Sequence, residues 1–219
     1  MPRTMPRRKQ AWGLATVTDI TAKDIQKLRQ SAGVGMMDAK KALTDADGDY
    51  EKAYELLRER GQAKMAKRAD REASEGTIGN YIHIQNDRPV IGVLVELSCE
   101  TDFVAKSDEF RKAADDIAMH VGAFAPEWVT RDQVDDQALE REKELIARQA
   151  ESEGKPADVL ERIVEGRLES WYAENVLYDQ KFVNPDLYEG TIGDMVSELA
   201  TKMGENIYVR KMARVAVGA

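Results

Sequence analysis

Apolar positions along the chain repeat with two different periods, and the change between them divides the sequence. From residue 18 to about 61 the period is helical. Thr21 stands at N-cap spacing before Asp24, and Ile25 and Leu28 follow at helical intervals. Gly33-Val34-Gly35 ends that helix, and a second is predicted over about 36–46. Gly48 supplies a left-handed C-cap, and Asp49 caps a third helix carrying the stripe Tyr50, Ala53, Tyr54, Leu56 and Leu57. Residues 62–75 are helix-compatible but too polar to pack on all sides, which predicts a linker helix. From Gly76 the period becomes two: Ile82 and Ile84 alternate with Tyr81, His83 and Gln85. A turn at 86–89 leads into 90–99, apolar on nearly both faces and hence a central strand paired in a hairpin. Helical spacing returns over 104–121 through Phe110, Ala114, Ile117 and Met119. A charged helix over 135–153 is stopped by Gly154-Lys155-Pro156. The next carries Leu160, Ile163, Val164, Leu168, Trp171 and Tyr172. Together they predict a helical hairpin, a projecting coiled coil at about 135–178. A helix over 191–203 and a closing strand over 206–217 complete the pattern.

Strands interleaved with antiparallel helices give an α+β class with a small antiparallel sheet rather than a doubly wound one. The expected organisation is a disordered tail over 1–18, a three-helix module over 19–61, the linker over 62–75 and a core over 76–219. The tail has four basic residues and no acid, and Met5 offers a second start. The chain has 219 residues, 42% hydrophobic and 33% charged, enough apolar content for one or two packed domains. Its longest apolar run, 89–97, is under half the ~20 residues of a membrane-spanning helix. A single cysteine rules out an internal disulfide framework, and two histidines leave little for a transition-metal site. These features predict a soluble protein of the reducing cytoplasm. Net charge is −8, but residues 1–75 carry 16 basic against 12 acidic side chains while the rest carry 16 against 28. An acidic body repels phosphate backbones, which disfavours direct nucleic-acid binding.

No phosphate-cradling loop is present: in Gly33-Val34-Gly35-Met36-Met37-Asp38-Ala39-Lys40 no glycine precedes the lysine and no strand precedes the glycines. Cys99 with His83 or His120 is a conceivable nucleophile–base pair, but the stronger reading is a buried strand end and incidental histidines. No set of residues assembles into an active site, so the expected function is binding, without enzymatic activity or cofactor. Two segments carry that potential. Met36 and Met37 start a helix about 100° apart in direction, so one faces outward as an adaptable thioether contact while the other fills core. Thr101-Asp102-Phe103-Val104-Ala105 sits at a strand-to-helix junction, where Thr101 or Asp102 caps the helix. Phe103 there either folds back as a staple or projects as an aromatic wedge, and local sequence does not decide between them.

Taken together, the segments 20–61, 91–110, 117–129, 154–172 and 204–215 resemble bacterial elongation factor Ts, the guanine-nucleotide exchange factor for elongation factor Tu. The pairing of GMMDAKKAL (35–43) with TDFVA (101–105) carries most of the specificity. The resemblance implies an N-terminal module of ubiquitin-associated-like fold that docks on the partner's GTPase domain, with Arg29, Met36 and Met37 at contact positions. It implies that Thr101, Asp102, Phe103 and Val104 dislodge Mg²⁺ from the partner's nucleotide site, and that Ile91, Gly92 and His120 make further contacts. TDFVA, IGVLV and IAMH each occur once, as in the short form of the family, which resembles members that act as homodimers. Lys211-Met212-Ala213-Arg214 holds no cysteine, so any dimer through the last strand is non-covalent. The competing expectation is a ubiquitin-associated-type adaptor, and a third is an RNA-binding protein using Lys64, Lys67, Arg68 and Arg71.

Overall fold

A computed structural model describes residues 20–218. Within it the chain divides into two compact units, with the boundary between Leu57 and Arg58. The expected tail over 1–18 lies outside the described residues.

The first unit is helical. Helix α1 (Ala22–Ala32) opens on a capping box in which Thr21 and Asp24 exchange side-chain-to-backbone hydrogen bonds, and it closes on Gly33 at φ 62°. Helix α2 (Met36–Asp45) ends with the Gly48 amide bonded back to the Leu43 carbonyl at 2.8 Å. Asp47 and Gly48 both take positive φ in that turn. Helix α3 (Tyr50–Ala66) then begins. Leu28, Ala39, Ala42, Leu43, Ala53 and Leu57 meet in a shared core. Three of these six are alanine, so the helices approach closely around the three leucines.

The second unit is built on a three-stranded antiparallel sheet in the order β1 (Glu75–Gln85), β2 (Arg88–Cys99), β3 (Tyr208–Ala216). Asn86 and Asp87, at φ 50° and 59°, form the tight β1–β2 turn, in the left-handed region that asparagine and aspartate tolerate. Val93, Val95 and Leu97 face inward against Phe110, Ala114, Ile117 and Val121 of α5 (Asp108–Phe124). Helix α8 (Ile192–Met203) contributes Ile192, Val196 and Ala200 to the same core. Helices α6 (Asp136–Ser152) and α7 (Ala157–Asn175) pack together as a hairpin between α5 and α8. At its base Trp128 and Trp171 lie 5.4 Å apart, and Arg131 bridges Glu169 and Asp179.

Two element boundaries differ from the sequence reading. The helix expected over 104–121 is two: a four-residue α4 (Asp102–Ala105) and then α5, separated because Ser107 turns the chain. Its hydroxyl donates to the Val104 carbonyl and accepts from the Phe110 amide. A separate linker helix over 62–75 does not form. Instead α3 runs on to Ala66 and the following turn is tied down by Arg68 to the Ala200 carbonyl and by the Asn206 amide to Ala69 and Arg71. Gly61 does not break α3; a Cβ there would lie 3.2 Å from the Thr201 hydroxyl, so its smallness serves close approach to α8.

The tightest contact in the sheet layer is at Gly79, where an added Cβ would lie 2.1 Å from the Ala114 carbonyl oxygen. That neighbour is helix backbone and cannot swing aside. Gly79→Ala is therefore expected to destabilise the second unit by about 3 kcal/mol through overpacking, read as a lowered denaturant midpoint with an unchanged slope.

Candidate functional site

Strand β2 ends at Cys99, and the chain turns at once into α4. Thr101, in extended conformation, is the N-cap: its hydroxyl accepts from the Val104 amide at 3.4 Å. The same hydroxyl donates to Glu205 at 2.6 Å, and the amides of Glu100 and Thr101 donate to the other Glu205 oxygen at 3.0 and 3.1 Å. Asp102 is bridged to Lys106 one turn on at 2.5 Å, and that hydrogen bond holds the Asp102 carboxyl below the ordinary carboxylate value. Val104 is half-buried against the core and Ala105 is buried. Phe103, just before them in sequence, points the other way and is 86% exposed. Of the two orientations left open by the sequence, it takes the projecting one.

Cys99 donates its thiol to the Thr101 carbonyl at 3.2 Å. Burial, reinforced by the Glu205 charge, pushes that thiol up to about 11. A protonated, enclosed thiol is not a nucleophile at neutral pH. Among the described residues no cluster of histidine, cysteine or carboxylate side chains could hold a metal. No helix there is long and apolar enough to cross a membrane.

The remaining expected contact residues are dispersed. Met36 and Met37 are both exposed in the first turn of α2, Met37 at 77%, so neither fills the core. Arg29 is exposed in the last turn of α1, in the same unit. Gly92 lies on the outer sheet face, paired with Ile82 and Val215. Ile91 is partly buried against the core. Both are toward the far end of β2, about 23–26 Å from Cys99 along a strand at ~3.3 Å per residue. The structure thus does not bring Ile91 and Gly92 to the Thr101–Val104 junction.

His120 is fully buried in this chain. The Val183 amide donates to its Nδ1 at 3.1 Å, so Nε2 carries the proton and donates to Gln180 at 2.8 Å. The ring stacks on Phe124, with centroids 4.9 Å apart, and Phe124 itself is exposed. Sequence reasoning missed Glu205, which sits 104 positions from Thr101. No local pattern links residues that meet only when β3 docks beside β2.

Burial lowers the His120 pKa, only partly opposed by the Gln180 bond. A second proton would also set an N–H against the Val183 N–H. The folded state therefore binds fewer protons than the unfolded chain below the unfolded histidine value of about 6.5. Stability is full above that pH and is lost as pH falls through it. Unfolding free energies measured from pH 7 to 5 are expected to fall in the native chain and to stay flatter in His120→Gln.

The sequence matches the family described as "Elongation factor TS" over residues 15–187. It is 48% identical over 200 residues to elongation factor Ts of Fervidobacterium nodosum, covering 91% of this chain and 99% of that protein. To elongation factor Ts of Alkaliphilus metalliredigens it is 50% identical over 200 residues, covering 91% and 90%. To that of Desulfotalea psychrophila it is 50% identical over 201 residues, covering 91% and 99%. With α+β architecture, a projecting Thr-Asp-Phe-Val junction and identity at this level along nearly the whole of both chains, this protein belongs to the elongation factor Ts family.

Proposed function

We propose that this chain is the guanine-nucleotide exchange factor for elongation factor Tu, and that Phe103 is the tip that works on the nucleotide site. The observation that carries the reading is a large apolar ring held in water on a hydrogen-bonded mount. Phe103 enters a crevice beside the partner's bound nucleotide, Asp102 contacts the partner nearby, and Mg²⁺ is displaced. The diphosphate is then less compensated in charge and leaves more readily. Exchange of this kind is reciprocal: whatever weakens nucleotide binding is itself weakened by nucleotide.

Magnitudes require a division of labour. Accelerating release by ~10⁴ takes about 5.5 kcal/mol off the barrier. Burying one phenylalanine side chain yields about 1.5–3 kcal/mol. The rest must come from surfaces that hold the nucleotide-free partner. Met36 and Met37, exposed and flexible, suit docking of the N-terminal module, and Arg29 is exposed in the same unit.

Self-association belongs to the same proposal. On the face of the sheet away from α5, Ile82, Gly92 and Val215 form one row and Asn80, Leu94 and Ala213 the next. Ile78, Ile82 and Leu94 are exposed there, with Val215 at 74%. Such a flat apolar face supports a homodimer formed sheet against sheet.

Release of a fluorescent guanine diphosphate from elongation factor Tu is expected to speed up when this chain is added; no acceleration would refute the proposal. Phe103→Ala should slow the maximal release rate roughly 10–100-fold with a smaller loss of affinity for nucleotide-free Tu. Met36→Ala with Met37→Ala should show the opposite balance. For the dimer, Leu94→Lys with Val215→Lys is expected to convert dimer mass to monomer mass by light scattering.

A further inference from the structure

We infer that Glu205 is a positioning residue for Phe103: its carboxylate, reaching across from the turn between α8 and β3, fixes the backbone from which the ring projects. This rests on the exchange reading above and deepens it. A four-residue helix such as α4 is too short to sustain its own shape. Its geometry must be imposed by tethers. Glu205 supplies three of them, to the amides of Glu100 and Thr101 and to the Thr101 hydroxyl. That hydroxyl in turn accepts from the Val104 amide, so the carboxylate acts on both sides of Phe103.

The clamp is reciprocal. The Glu100 carboxylate accepts from the Asn206 amide at 2.6 Å, and Arg71 reaches the same oxygen. Gly204, at φ 79°, turns the chain at the end of α8 so that residues 205 and 206 face residues 100 and 101. Satisfying buried polar groups does not by itself account for this arrangement. Thr101 is exposed, and water could serve its amide and hydroxyl equally well. What water could not supply is a fixed direction, and bonds to a carboxylate are the strong, directional kind. Positioning matters because a misplacement of about 1 Å at a working group can cost ~10²-fold in rate.

Glu205→Gln tests this with almost no change in shape, since it removes the charge that makes the bonds to the two backbone amides strong and directional. The maximal rate of diphosphate release from Tu is expected to fall roughly tenfold, with the half-saturating concentration held within about twofold. Amide hydrogen exchange at Glu100, Thr101 and Val104 should accelerate while the rest of the core stays protected. In a double-mutant cycle, Phe103→Ala with Glu205→Gln should release no more slowly than Phe103→Ala alone, because the clamp acts through the ring. Additive losses, a native rate, or unaltered exchange at those amides would each overturn the inference. If Glu205→Gln does not fold, Thr101→Val removes the bridging hydroxyl and should give the same split on a smaller scale. A native rate there would also overturn it. A native chain that fails to accelerate release refutes the exchange reading, whereas the amide exchange of Glu205→Gln reports on the mount without Tu.

Discussion

A carboxylate that gathers three hydrogen bonds at the end of the central strand is what keeps an apolar ring standing in water. Glu205 binds the backbone at Glu100 and Thr101 and the Thr101 hydroxyl, and the chain beyond has little freedom left. Val104 and Ala105 are anchored below by the core, which leaves Phe103 as the one apolar side chain of that turn directed outward. Leaving it there forgoes about 1.5–3 kcal/mol of burial. Docking into another protein recovers that energy. Ordering a loose loop would cost about 1–2 kcal/mol per residue in backbone entropy, and a mount already rigid avoids most of it.

The mount depends in turn on the layer beneath. Strand β2 is central, so its register is set on both sides, by β1 and by β3. Helix α5 rests on it so closely that β1 needs a glycine at position 79. Because β3 follows α8 directly, placing β3 beside β2 also delivers Glu205 and Asn206 to the strand end. At the other end of α5, His120 ties Gln180 and Val183 to the same layer through a neutral ring. At the start of α5, Glu109 pairs with Lys202, so both ends of the helix are held by polar contacts between segments distant in sequence.

Among the described residues, apolar surface is also exposed at the methionine pair and on the outer sheet face, and each has a physical character of its own. Met36 and Met37 offer a small, adaptable contact on a helix start. The outer sheet face carries exposed Ile78, Ile82, Leu94 and Val215, with Gly92 between Ile82 and Val215 adding no side chain of its own. A flexible thioether pair suits a surface that must accept and release a partner, whereas a flat apolar face suits a longer-lived one.

Much of the fold was legible in local pattern, because helical and strand periods, capping residues and turn residues act over a few positions. Thr21 with Asp24, Gly33, Gly48 and the 86–89 turn all lie where short-range chemistry demands them. The α+β class followed from the same periods. The Thr-Asp-Phe-Val segment and the methionine pair stood out as residue types out of keeping with a bland surface. What local pattern did not contain was direction and company. Whether Phe103 folds back or projects depends on a carboxylate 104 positions beyond Thr101. The burial of His120 depends on a loop 60 positions away. The break before α5 hinged on how a single serine hydroxyl is used. Sequence alone determined most of the helix, strand and turn segments, since those energies are largely local. Only the tertiary structure decided which side chains face water, since that is settled by whatever packs against the other side.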